Sequence, residues 1–202
     1  MKNKQTIFII TSIGVFSYLL HTLLGNILWE TYNPITTDIS TLTSNVSPYQ
    51  VPFTFLTSIY ALCMIILGIA LIKQTKDKNN LLQAASIIFL VMQLVSFLGY
   101  LLFPLDHQGA LNSFHNTMHL IVTFIVVFSS ISYSYLFAFG SKHTNKSLFK
   151  TLLLFAILIT SFGLLNPIIM NLNLPLLGLT ERLVIYTLLT QTIYLSYHRK
   201  SL

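Results

Sequence analysis

The side chains able to do acid–base or metal chemistry are few and unevenly placed. The chain has five carboxylates and six histidines, and the run FPLDHQGALNSFHNTMH, Phe103 to His119, holds Asp106, His107, His115 and His119 between two apolar stretches. His115 and His119 are four residues apart, which on a helix stacks them on one face. With one or two further ligands such a pair binds zinc or a related divalent metal, and His21, Asp106 and Glu181 are the candidate donors. The bound water would become a nucleophile near neutral pH, with Glu181 as base and Arg182 holding a phosphate or developing anion. That describes a metal-dependent hydrolase or transferase acting on a lipid or lipid-linked substrate. Alone, however, HxxxH says little: the internal glutamate of a zinc-protease helix is missing. The favoured expectation is instead a non-catalytic transport, lipid-binding or envelope component. In it Asp38, Ser40, Asp106 and Arg182 form a polar network closing the mouth of a bundle. A haem held by His21 and His119 is a third reading, disfavoured because the two histidines lie at different depths.

The elements that must hold these groups are transmembrane helices. Of 202 residues, 54% are hydrophobic and 8% charged, with a mean hydropathy of +0.74. A soluble domain carries about a quarter charged residues, so most of this surface must face lipid. A helix needs about 20 mainly apolar residues to cross the hydrocarbon core. Six stretches qualify, at roughly 7–28, 51–72, 82–103, 117–139, 151–170 and 179–197. The expected fold is all-α, a six-helix transmembrane bundle formed by residues 1–202 as one integral membrane domain. The N-terminal apolar run is longer than a signal-peptide core and lacks a clean cleavage site, so it is read as the first span. The single cysteine, Cys63, excludes an internal disulfide.

Charge supplies the orientation. Alternating spans put Lys2, Lys4, Lys73, Lys76, Lys78, Lys142, Lys146, Lys150, Arg199 and Lys200 on one side and Arg182 alone on the other. The positive-inside rule then places both termini in the cytoplasm. The net charge of +6 is thus a topology signal with anionic headgroups as partners, and not the mark of a nucleic-acid site. Glu30, Asp38, Asp106 and Glu181 fall outside, leaving Asp77 within. His21 lies in the outer half of the first span, roughly 10 Å deep at 1.5 Å per residue.

Several local expectations follow. In GLTER, Gly178 to Arg182, Thr180 caps the last span and Glu181 suits its positive end. Arg182 pairs with Asp38 or Asp106, because its neighbour Glu181 points elsewhere on the helix. His119, Val122, Thr123 and Val126 turn one face of the fourth span inward, and Gly109 allows the preceding loop to fold back. Asp38 and Ser40 either cap a short interfacial helix or line the same outer pocket. Gly14, Gly25, Gly68, Gly99 and Gly163 permit close helix approach. Asn166-Pro167 kinks the fifth span. Aromatic residues at 29, 32, 49, 133, 135 and 197 read partly as interfacial anchors.

Three short motifs share the outer side: Asp38-x-Ser40, Phe103-Pro104-x-Asp106 followed by the histidines, and Gly178-Leu179-x-Glu181-Arg182. In order and placement this set resembles the multi-pass prokaryotic membrane proteins catalogued as domain of unknown function 998. The resemblance implies a six-helix protein, in a bacterial cytoplasmic membrane, over nearly the whole chain. It implies no activity.

Overall fold

The six apolar runs form six helices, with no strand among the described residues; a computed structural model describes residues 2–106 and 113–202. They are α1 (Lys2–Leu28), α2 (Gln50–Thr75), α3 (Asn80–Leu102), α4 (Phe114–Ser141), α5 (Lys146–Asn171) and α6 (Leu177–His198). Three of them start at polar caps. The side chains of Asn79, Ser113 and Asn145 accept from the backbone N–H groups of Leu82, Asn116 and Leu148, satisfying donors that the first turn leaves open.

Each helix packs against its chain neighbours, and α1 meets α6 to close the set. A single buried cluster draws on all six helices, including Val15, Met64, Leu71, Phe89, Tyr133, Phe137, Leu152 and Leu189. The outward faces are as apolar as the interior. Phe16, Phe124 and Phe128 are each at least 66% exposed, an arrangement that suits hydrocarbon and not water. Helices α1 to α5 are long and apolar enough to cross a membrane.

Helix α6 departs from the expected sixth span, because it does not reach the hydropathy of the other five. Its polar residues include Thr180, Glu181, Arg182, Thr187, Thr190, Gln191, Thr192 and Ser196. Packing against α1 and α5 shelters many of them, and Thr180, Arg182, Gln191, Thr192 and Ser196 are buried. The hydroxyls of Thr187, Thr190 and Thr192 donate to carbonyls one turn back. That internal bonding lets a hydroxyl occupy an apolar medium without an open donor. Gln191 accepts from Ser134 of α4 at 3.0 Å across the bundle.

The connections sort onto two rims. At one, the turn at Asn79 is tied to α4 by its amide, which donates to the Gly140 carbonyl at 2.8 Å. This rim carries the lysines of the α2–α3 and α4–α5 turns. At the other, the long loop 29–49 reaches both neighbours: Asn45 N–H donates to Leu105 O at 2.8 Å, and Leu179 N–H to Ile35 O at 3.0 Å. Tyr32, Ile39 and Leu42 of that loop and Phe53 of α2 form a second, smaller apolar cluster. This is the polar rim, where most of the chemistry-bearing residues lie.

Two local expectations are corrected. Tyr133 is no interfacial anchor: it is 1% exposed and packs edge-on against Phe89 in the core. Gly163 makes no close approach either, since a Cβ there would meet nothing within 4 Å, whereas one at Gly99 would strike Val122 at 2.6 Å. Gly163→Ala should therefore leave stability unchanged or raise it by up to about 1 kcal/mol through helix propensity. A melting curve in detergent reads this directly.

Candidate functional site

The loop 29–49 is the hub of the polar rim, and it clasps its neighbours in two places. The first clasp joins it to α6. Helix α6 begins at Leu177, two residues before the expected start, and no side chain caps it. Thr180 therefore is not a cap: its hydroxyl contacts the Leu176 and Leu177 carbonyls and donates to Asn166 Oδ1 of α5. Glu181 lies beyond the first turn, so the dipole of that end acts on it only weakly.

Each residue of Gly178 to Arg182 except Thr180 grips the 32–40 segment. Gly178 sits against backbone, where an added Cβ would stand 2.2 Å from Thr37 O and 2.6 Å from Pro34 O. Leu179 N–H donates to Ile35 O. Glu181 accepts from the Ile39 N–H and, at 3.3 Å, from the Ser40 hydroxyl. Arg182 Nη1 donates to Pro34 O at 2.6 Å, Gly178 O at 2.9 Å and Thr37 O at 3.2 Å; Nη2 donates to the Tyr32 hydroxyl at 2.7 Å.

The expected ion pair of Arg182 with Asp38 or Asp106 is thus replaced by a cage of carbonyl oxygens. A buried guanidinium loses its hydration, and four oxygens offset that cost. Arg182 is 7% exposed, and its Nε has no partner among the described residues. Tyr32, expected at the interface, is buried in the clasp and stacks on Trp29. Its hydroxyl accepts from Arg182 and donates to Asp38 O at 2.8 Å. Burial raises its pKa, and Arg182 opposes this only in part, so the phenol remains a neutral donor at ordinary pH. Asp38 does what a capping residue does: its Oδ1 accepts from the N–H and hydroxyl of Thr41, pinning the 3₁₀ turn Ser40–Thr43. Ser40 instead donates to Glu181 at 3.3 Å, so the two residues act separately, Asp38 on the turn and Ser40 on α6.

The second clasp joins the hub to the α3–α4 junction. Asn45 Nδ2 donates to Asp106 Oδ1 at 2.8 Å, and Asp106 N–H donates to Asn116 Oδ1 at 2.8 Å. His115 lies 3.8 Å from Asp106 and is about half exposed. Solvent screens such a pair, so His115→Ala should shift stability by less than about 1 kcal/mol in a melting experiment. His107 and Gly109 lie outside the described residues.

The four proposed metal donors do not converge. His119 is buried at 5% exposure, with its ring against Tyr100, and its Nδ1 donates to Phe103 O at 2.9 Å. A carbonyl only accepts, so that nitrogen carries the proton. His21 lies between Tyr18 and Phe53, and neither ring nitrogen makes a well-formed hydrogen bond among the described residues. Among the described residues no three His, Cys, Asp or Glu side chains form a metal-binding group. The expected joint network is likewise divided, with Asp38, Ser40 and Arg182 in the first clasp and Asp106 in the second. Tyr32, Asn45 and Asn116 join the clasps without being candidates from sequence; Asn45 near the Ser47-Pro48 turn and Asn116 between the two histidines are the polar letters that mark them.

No curated protein and no solved structure matches the chain. Two of the three short motifs, Asp38-x-Ser40 and Gly178-Leu179-x-Glu181-Arg182, meet in the first clasp, and the third supplies the second clasp. Residues 12–198 match the family model described as protein of unknown function (DUF998), and the chain belongs to that family.

Proposed function

We propose that this protein is a non-catalytic, lipid-binding component of the cytoplasmic membrane of a bacterium, its polar rim facing outward and both termini inside. The observation that carries this reading is how fully the ionisable groups of the first clasp are engaged. Arg182 is bound to three backbone carbonyls and a phenol, and Glu181 to a backbone N–H and a serine. A general base or an anion-binding arginine needs lone pairs or N–H groups directed at a substrate; these are directed at the protein's own loop. The alternative, a metal-dependent hydrolase or transferase on a lipid-linked substrate, draws no support from where His21, His115 and His119 lie. The rim therefore acts as a structural closure, and the protein's business is with membrane lipid.

The test uses the purified chain incubated with membrane lipids. Lipid should be retained through purification and recovered chemically unchanged. A hydrolysed or transferred product that Glu181→Gln abolishes would refute the non-catalytic reading. Orientation is tested separately in intact cells with an impermeant maleimide, after replacing Cys63 by Ala. Glu30→Cys should be labelled and Lys146→Cys protected; the reverse pattern overturns the sidedness.

A further inference from the structure

The α2–α3 hairpin is closed at one end and open at the other. Toward the lysine rim the helices touch: a Cβ on Gly68 would stand 3.0–3.2 Å from Leu90 side-chain and backbone atoms. Toward the polar rim they part around a cleft of about 230 Å³, lined by Thr43, Gln50, Val51, Thr54, Tyr100 and Leu101, with Pro104 at its edge. Val51 and Leu101 are exposed on the bundle's outer surface, so the cleft opens sideways toward lipid.

The hydrogen-bonding state of its wall is one-sided. The Thr43 hydroxyl donates to Ser40 O at 3.2 Å. Gln50 Nε2 donates to Asn45 Oδ1 at 2.8 Å and Thr43 O at 3.5 Å; two oxygens around one nitrogen fix which end of the amide it is. The Tyr100 hydroxyl donates to Thr123 Oγ1 at 3.2 Å, and that hydroxyl donates onward to His119 O. Thr43 and Gln50 have therefore committed their protons elsewhere and keep lone pairs for an occupant, while Tyr100 turns its hydroxyl to α4 and away from the cleft. Thr54 Oγ1 makes no hydrogen bond to any described residue. Among the described residues no charged side chain lines the cleft, so a phosphate or ammonium group placed there would lose hydration without a counter-charge.

We infer that this cleft holds the headgroup of a membrane lipid bearing a neutral sugar, its hydroxyls donating to Thr43, Gln50 and Thr54 and its acyl chains lying outside Val51 and Leu101. Three acceptors round one cavity, on Thr43, Gln50 and Thr54, call for several donors on one headgroup. At roughly 30 Å³ per water the space equals about eight waters, the scale of a single hexose. This assignment rests on the lipid-binding reading above and adds the place and the headgroup class.

The experiment is native mass spectrometry of the full chain released from micelles. Each micelle contains equal parts of synthetic monoglycosyl diacylglycerol, phosphatidylethanolamine and phosphatidylglycerol with identical acyl chains. The glycosyl lipid should be retained preferentially. Thr54→Val, which keeps the volume and removes the hydroxyl, should lower that retention roughly fivefold, the worth of one hydrogen bond. Val51→Trp alters an exposed position and fills the mouth of the cleft, so it should abolish the preference while the melting temperature is kept. Preference for either charged lipid overturns the headgroup assignment. Equal glycosyl-lipid retention by wild type and both variants overturns the site while sparing lipid binding. Retention of no lipid at all by the wild type refutes the lipid-binding reading itself.

Discussion

Arg182→Ala lowers the stability of the detergent-solubilised chain by about 3 kcal/mol or more, which is a fall of roughly 10 °C in melting temperature for a chain of this size. The truncation removes four donor–acceptor contacts and leaves the Pro34 carbonyl without a donor among the described residues, while Thr37 O keeps only the 3.4 Å contact of the Tyr32 hydroxyl and Gly178 O its helical N–H. Unsatisfied buried acceptors cost about 1–3 kcal/mol each before relaxation, and water entering the gap recovers part of that. Arg182→Lys should fall between, because an ammonium carries three donors on a flexible stem and cannot span the fork of four oxygens. Asp38→Asn gives the decisive comparison. If Arg182 were held by the Asp38 charge, neutralising Asp38 would rescue Arg182→Ala. With carbonyls as the partners, the double variant is no more stable than Arg182→Ala alone. A rescue would reinstate the ion pair and overturn the carbonyl cage.

Gly178→Ala is expected to be as damaging as the loss of the arginine, although it adds one methyl group. The obstruction is backbone, Thr37 O and C and Pro34 O within 2.2–2.8 Å of the new Cβ, so no side-chain rotation relieves it. Overpacking of this kind costs about 1–3 kcal/mol where neighbours can yield. Here yielding means lifting the loop from α6, which also breaks the Leu179–Ile35 bond and the reach of Arg182 to Pro34 and Thr37. Because both substitutions open one clasp, their effects should not add. The Gly178→Ala/Arg182→Ala double variant should melt close to the worse single variant, where independent sites would sum within about 0.5 kcal/mol. Additive losses would mean that the glycine and the arginine serve separate structures.

The helices were legible because the hydrocarbon core demands long apolar runs, and such runs are hard to write by accident. Their ends were less so. Hydropathy marks the part of a helix that lipid touches, whereas α1, α4 and α5 each continue past it into polar residues. Asn79, Ser113 and Asn145 announce three of the true starts, as capping residues do. The sixth span shows itself by its central apolar stretch, while its buried hydroxyls and glutamine pull its hydropathy below that of the rest. The candidate site was legible in membership but not in wiring. Clustering of Asp38, Ser40, Glu181 and Arg182 near one rim followed from span counting. Their partners did not, since pairing by charge sign cannot see a carbonyl, and carbonyls carry no letter in a sequence. The histidines illustrate the converse: four-residue spacing does set His115 and His119 along one side of α4, yet each turns to a different neighbour.

The first clasp connects residues up to 150 positions apart, Tyr32 before the second helix and Arg182 in the last. During synthesis the early loop must therefore wait, its carbonyls open, until α6 has left the ribosome. Closure becomes a late checkpoint of assembly: a chain stalled or cut before α6 exposes an unfastened loop to any protease on that face, and a finished one does not.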